Sequence, residues 1–176
     1  LWSDSVGFLS RSGTDMGEHA DVLRSLGADL AGWKVYEDIP TPRTLMQYDE
    51  NQYMKDNFML TSMDDWSRLL AQEIALPEAY QQPRGIHLIT EFNNEPMVHS
   101  ALALKEKGAV FSLEPLINHR TWKNRDEIIS LLRYADTASP DWPSASGIAG
   151  SDDPLKVLKH WSKLGPSLVT VRHGAQ

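Results

Sequence analysis

The chain has 176 residues, enough for one well-buried domain, and its 17 Lys and Arg against 24 Asp and Glu give a formal net charge of -7. This acidic balance argues against nonspecific binding to nucleic acids or anionic membranes, so a small-molecule partner is expected. The sequence contains no Cys, so the chain has no disulfide or thiolate metal site. It also contains no signal segment and no apolar run of about 20 residues, and we therefore expect a cytoplasmic protein with no membrane partner.

The first predicted elements are a strand, a glycine-bearing loop and a helix. Val6 to Leu9 is a short apolar strand, and the polar loop from Ser10 to Gly17 follows it. A loop in this position is a candidate ligand loop, although an ordinary turn between strand and helix explains it equally well. Apolar spacing predicts a helix from Glu18 to Leu26.

Residues 33–62 change in character, because β-type runs alternate with Pro and with an acidic turn. This pattern predicts a small antiparallel sheet inserted between α/β elements. Such an insertion can cover a site as a lid, and the alternative is a surface hairpin. A helix is predicted from Asp64 to Leu76, where Pro77 ends it.

The clearest pattern is the strand, helix and strand that lie between Arg84 and Pro115. Ile86 to Thr90 and Val110 to Leu113 are short apolar runs typical of buried parallel strands. The apolar spacing between them predicts a helix, and a connection of this kind joins parallel neighbours. Residues suited to the helix ends mark both of its limits: Asn94, Pro96 and Gly108.

Further helices and strands alternate towards the C-terminus. Asn124 and Glu127 have capping-box spacing ahead of a helix, and Ala135 to Ser139 is a short strand. Asp153 is predicted to cap a helix that Pro154 begins, and Leu168 to Val171 is the last strand.

The alternation of strands and helices predicts a mostly parallel sheet with helices on both faces. Ligands bind at the carboxyl ends of such strands, and several polar residues follow the strands there. Carboxylates beside a cationic loop that contains glycine suit a phosphorylated ligand with a divalent ion. The residues at this edge are Glu91 with Asn93, Glu114, Asp141, and Arg172 with His173.

Motifs of other nucleotide and metal sites are absent from the sequence. It has no Gly-x-x-x-x-Gly-Lys-Ser/Thr loop and no Gly-x-Gly-x-x-Gly after a strand. The 6 His have no metal-binding spacing, and only His173 is kept as a candidate ligand contact.

The order of the segments resembles the PfkB, or ribokinase-like, family of carbohydrate kinases. The run from Ser112 to Gln176 is similar to that family's acidic-Pro strand end, helix, "ADxxxPN", helix and "GPxxVVVTxGxxG" loop. VGFLSRSGTDMGEHADVLRSLGADLAGWKV resembles its "vGxvGxDxxG…LxxxGVD" segment. The resemblance implies a ribokinase-like α/β fold in one partial domain over residues 1–176, with a β-stranded lid at 33–62 and with both ends incomplete.

The resemblance also implies ATP-dependent phosphorylation of a sugar or nucleoside hydroxyl, with Mg²⁺. Two departures from the family stand in the nucleotide site: Asp141 and Ser144 replace the Asn and Glu of an Asn-x-x-Glu phosphate and Mg²⁺ motif, and Arg172 replaces a common Thr. A guanidinium there could still reach a nucleotide phosphate. The implied substrate-binding residues are Gly13, Asp15 and Glu114, and the implied nucleotide- or phosphate-binding residues are Asp141, Ser144, Arg172 and Gly174.

The family's catalytic base lies in a Gly-Ala-Gly-Asp segment that these 176 residues do not contain. We therefore assign no catalytic residue, leave the metal ligands unassigned, and expect a fragment without kinase turnover of its own. The alternatives are a noncatalytic protein that binds a nucleotide or sugar, and an α/β enzyme such as a Mg²⁺-dependent phosphatase. The phosphatase would need an Asp nucleophile where Ser10 to Ser12 stand. A lid sheet can also pair two copies into a homodimer.

Overall fold

A computed structural model of the chain describes residues 5–50 and 54–174. The described residues form six α-helices and eight strands, and they divide into two compact units, Leu1–Gln81 and Gln82–Gln176. None of the described helices is long and apolar enough to cross a bilayer. The sheets are mostly parallel with one antiparallel pair, so the predicted α/β class is confirmed. The single domain over residues 1–176 remains a prediction.

The first unit begins with a strand, a helix and a parallel strand. These are β1 (Val6–Ser12), α1 (Gly17–Ser25) and β2 (Ala28–Val35). Trp33–Val35 lies in this parallel pair, so the prediction that an antiparallel segment starts at residue 33 was wrong for its first residues. The β-rich pattern marked a strand there, but it carried no information about which strand would be its partner.

An antiparallel pair follows, and it corresponds to the predicted lid strands. It consists of β3 (Thr44–Tyr48) and β4 (Met54–Met59), and it leaves Leu45 and Phe58 about half exposed on opposite strands. The helix α2 (Met63–Leu70) comes next and ends well before the predicted Leu76.

The second unit begins with the strand, helix and strand that the sequence predicts. These are β5 (Gly85–Thr90), α3 (Pro96–Glu106) and β6 (Val110–Pro115), with β5 and β6 parallel. Gly108 closes the helix at φ 99°, a conformation that favours glycine. The predicted cap was wrong, because Glu95 occupies that position and makes no side-chain cap.

The remaining elements complete a four-stranded parallel sheet of order β5-β6-β7-β8. Asp153 caps its helix as predicted, since its carboxylate accepts hydrogen bonds from the Leu155 and Lys156 amides at 2.9 and 3.3 Å. The elements are α4 (Arg125–Leu131), β7 (Thr137–Ala138), α5 (Trp142–Ala149), α6 (Pro154–Trp161) and β8 (Leu168–Val169).

The capping box predicted at the start of α4 does not form. Asn124 precedes the helix, but its side chain makes no cap. Its amide instead donates to the carbonyls of Glu91 and Leu116 at 3.0 and 2.9 Å. Asn124 therefore connects the loop after β5 to the end of β6.

The core of the second unit lies against one face of its sheet. Leu88, Leu113 and Ala138 share this face by register and are buried, as is Trp161 of α6. The opposite face, which we call the open face, carries exposed apolar side chains at Ile89, Val110 and Leu168. Parallel sheets normally have both faces covered.

Candidate functional site

The four strands of the second unit run parallel, so their carboxyl ends meet at one edge of the sheet. We call this edge the carboxyl edge. Glu114 lies at the end of β6, and Asp141 and Arg172 follow β7 and β8. The sequence prediction that these residues share an edge is thus confirmed.

An ion pair links two of the predicted site residues across this edge. The Arg172 guanidinium donates to Glu114 Oε1 at 2.8 Å, although β7 lies between their two strands. The Glu114 side chain is 17% exposed and that of Arg172 is 48% exposed. The carboxylate is therefore largely enclosed, whereas part of the guanidinium faces solvent.

His87 belongs to the same cluster and was not predicted as a site residue. Its Nε2 lies 3.6 Å from Glu114 Oε2, and its Nδ1 lies 3.0 Å from the Ser112 hydroxyl. Because side chains alternate along a strand, His87, Ser112 and Glu114 share the open face. That alternation was visible in the sequence, but the strand register that brings His87 near Glu114 was not.

The backbone of Arg172 is fixed against the start of α5. Its amide donates to the Pro140 carbonyl at 3.0 Å, and its carbonyl accepts from the Trp142 amide at 2.7 Å. These bonds form an isolated parallel bridge between Arg172 and Asp141. The loop after β8 is thereby held beside the helix N-terminus.

Asp141 and Ser144, the replaced Asn-x-x-Glu positions, are engaged in local structure. Asp141 caps α5, because its Oδ1 accepts from the Ser144 amide at 3.3 Å. Ser144 is fully buried, and its hydroxyl donates to the Ile117 carbonyl at 3.1 Å. Ser144 is therefore closed to a ligand.

The same geometry tests whether these residues suit a Mg²⁺ ion. Such an ion takes oxygen ligands and typically one or two carboxylates. Ser144 is neutral and enclosed, and one oxygen of Asp141 already serves the helix cap. Across residues 5–50 and 54–174, no group of three or more His, Asp or Glu is placed to hold a metal ion. The motif positions of this chain do not fit Mg²⁺.

A second acidic group follows β5. Burial, and secondly the negative charge of Glu95, raises the pKa of Glu91 above its ordinary value. Glu95 is itself buried, with Oε1 3.1 Å from the Thr90 hydroxyl. Glu91 was predicted at this edge, whereas Glu95 was missed because it was read as part of the helix start.

The loop after β8 ends in an aromatic contact and a glycine. The rings of His173 and Trp142 lie 4.2 Å apart between centroids. Gly174 has φ 57°, in the left-handed region that favours glycine. The predicted nucleotide loop therefore has a defined shape up to residue 174.

The predicted substrate residues of the first unit lie in a loop bound to the segment before β3. The Gly13 amide donates to the Thr41 hydroxyl at 2.9 Å. Asp15 accepts from that same hydroxyl and from Arg43, whose guanidinium lies 2.5 Å from Oδ2. Hydrogen bonds from Thr41 and then Arg43 lower the pKa of Asp15. Sequence reasoning missed both partners, since they lie about 26 residues away.

An open cavity of about 370 Å³ adjoins this loop, between the end of β1, α1 and β2. Ser12, Gly13 and Trp33 contribute to its wall. The Trp33 indole donates to the Ser12 hydroxyl at 2.8 Å, which fixes the ring there. The first unit therefore offers a concave surface beside Gly13.

Comparison with solved structures shows that other proteins share the α/β fold of this chain. An E. coli protein proposed to be a ribokinase II, solved with ATP and Mg²⁺, superposes with a TM-score of 0.74 at 18% identity over 98% of this chain and 57% of its own. No family model matches the sequence, and no curated protein matches it.

Two further structures have the same fold and carry more specific names. Halothermothrix orenii fructokinase gives a TM-score of 0.72 at 17% identity, covering 97% of this chain and 63% of its own. A PfkB protein from Polaromonas sp. JS666 gives 0.67 at 20% identity, covering 97% and 61%. The chain thus has the ribokinase-like fold of PfkB carbohydrate kinases, and it spans about 60% of the length of these structures.

Proposed function

We propose that the polypeptide containing this chain is an ATP-dependent carbohydrate kinase that phosphorylates a hydroxyl of a sugar or nucleoside. The ribokinase-like fold supports this proposal, and the Glu114–Arg172 pair at the carboxyl edge carries it. Among structures with this fold, a double mutant of a Vibrio cholerae fructokinase was solved with fructose, ADP and potassium ion.

In this proposal, Arg172 contacts the nucleotide phosphates. A guanidinium remains charged at any physiological pH and can bind phosphate oxygens through two parallel hydrogen bonds. Glu114 orients Arg172 through Oε1. The second carboxylate oxygen of Glu114 can accept a hydrogen bond from a substrate hydroxyl. Gly174 lets the loop turn beside the nucleotide, and Gly13 and Asp15 form the sugar loop.

The transfer step in this proposal requires a base to accept the hydroxyl proton. The 176 residues contain no Gly-Ala-Gly-Asp segment, so the base would come from outside them. We therefore expect the isolated chain to bind ligands more readily than it turns them over.

A noncatalytic protein that binds a nucleotide or sugar is the second candidate. The engagement of Asp141 and Ser144 in a helix cap and a buried hydrogen bond favours it, because a kinase would use these positions for metal and phosphate. Turnover by the whole polypeptide separates the two candidates.

The test is ADP release by the whole polypeptide with ATP and a panel of sugars and nucleosides. For a kinase, Arg172→Gln should lower kcat/KM by about tenfold to a hundredfold, because a charge-assisted hydrogen bond contributes about 1.5–3 kcal/mol. Arg133→Gln is the matched control, since Arg133 is exposed and its guanidinium donates to the hydroxyl of the neighbouring Tyr134 at 2.7 Å. If no substrate in the panel stimulates ADP release but ATP raises the melting temperature, the binding protein is the better description.

A further inference from the structure

At the N-terminus of α5, Asp141 and Ser144 stand at the positions of a Mg²⁺-organising motif, but their side chains are engaged in a helix cap and a buried hydrogen bond. We propose that Asp141 and Ser144 supply no metal ligand, and that the Arg172 guanidinium provides the positive charge that holds the phosphate groups. The inference rests on the proposed binding of a nucleotide at the carboxyl edge, and it specifies how that site neutralises charge.

Ser144 is excluded as a ligand by its surroundings. Its side chain has no exposed surface, and its hydroxyl is used by the Ile117 carbonyl. Turning this hydroxyl towards a ligand would leave that carbonyl without its partner inside the core, which is costly. Ser144 therefore fastens α5 to the segment after β6.

Asp141 caps a helix, and this role does not require a charged side chain. Its Oδ1 caps α5 by accepting from the Ser144 amide, and Gly replaces such a capping residue at little cost to stability. If capping is its whole role, Asp141→Gly should fold normally and leave the metal dependence of nucleotide binding unchanged. A side chain that ligates the metal would lose its oxygen donor in this variant, and the metal would then assist binding less.

Arg172 has both the position and the chemistry to hold phosphate. Backbone bonds to Pro140 and Trp142 fix its main chain, and Glu114 fixes one side of the guanidinium. Close to half of the side chain remains exposed at 48%, so part of it can meet a ligand. The guanidinium also offsets the charge of the paired Glu114 carboxylate, which would otherwise repel a polyphosphate.

The experiment is calorimetric titration of ADP into the whole polypeptide, first in EDTA and then with saturating Mn²⁺ as the metal probe. The ratio of the two Kd values measures how strongly the metal assists binding. We expect Asp141→Gly, which removes the oxygen donor, to keep this ratio within about twofold of the parent. Arg172→Gln should weaken ADP binding about tenfold or more in both conditions, and Arg172→Lys should restore part of the loss.

Asp153→Gly is the matched control, because Asp153 caps another helix of the same unit, α6, through the same kind of side-chain bond. Melting temperatures of all variants exclude unfolding as the cause of a lost signal. If Asp141→Gly abolishes the effect of Mn²⁺, or if Arg172→Gln binds ADP as the parent does, the inference is wrong although the nucleotide site stands. If the parent itself binds no ADP in either condition, the proposed function fails and the inference fails with it.

Discussion

Replacing Gly13 by Ala should destabilise the loop after β1 through steric overlap alone. A Cβ on Gly13 would lie 2.5 Å from the Ile39 carbonyl oxygen and 2.7 Å from the Thr41 nitrogen. Both neighbours are backbone atoms, so no side chain can rotate away. The backbone of Gly13 is extended, at φ -76° and ψ -174°, and an Ala can adopt it without strain.

The expected cost of Gly13→Ala is about 1–3 kcal/mol, the usual range for overpacking a close contact. Gly17→Ala is the matched control four positions away, because its added Cβ would meet no atom within 4 Å apart from its chain neighbours and the backbone of its own helix, and its backbone is already helical. That substitution should stabilise the fold by about 0.5–1 kcal/mol.

Urea unfolding of the two variants, followed by far-UV circular dichroism, measures this difference. The Gly13→Ala midpoint should fall below that of the parent, and the Gly17→Ala midpoint should equal or exceed it. In a kinase, Gly13→Ala should also raise the KM for the sugar. A Gly13→Ala midpoint at or above that of Gly17→Ala would refute the steric reasoning.

Three other outcomes are expected. Hydrogen bonds from Lys105 and then the Phe111 amide lower the pKa of Asp136. The Asp136 carboxylate therefore stabilises the fold at pH values above the ordinary Asp pKa, and this contribution disappears as pH falls through the lowered pKa. Asp136→Asn should therefore cost about 1 kcal/mol at neutral pH and flatten the loss of stability towards acid pH, as measured by urea midpoints. If the protein forms a homodimer that pairs through β3 and β4, Leu45→Lys should convert it into a monomer, because Leu45 is exposed there. Light scattering measures the molar mass, and an unchanged dimer mass would place the dimer contact elsewhere. The 176-residue chain alone should release no ADP above background with ATP and the sugar panel, and steady release would contradict the proposal that the catalytic base lies outside these residues.

The parts of the fold that could be predicted are those with local signals. Pro96 and Gly108 mark the limits of α3, and the apolar runs beside them become β5 and β6. The order of these elements then brings the strand ends to one edge. Parallel connectivity and alternating strands and helices suffice for that step.

The parts that could not be predicted depend on partners distant in sequence. Asn124 has the spacing of a cap, yet carbonyls of two other segments take its amide. The pairing of Glu114 with Arg172 crosses an intervening strand, so no local pattern encodes it. Asp15 was placed correctly in its loop, but its bonds to Thr41 and Arg43 depend on tertiary structure.

The open face of the second sheet affects how this chain behaves when heated. Ile89, Val110 and Leu168 are 50%, 54% and 57% exposed on that face. Partial opening of the sheet would expose core residues beside these side chains and so form a continuous apolar surface. Chains with such surfaces aggregate faster than they refold. Thermal denaturation should therefore be irreversible, with an apparent midpoint that rises with scan rate. Lysine introduced at Leu168 should restore reversibility, because charge on an exposed sheet opposes self-association.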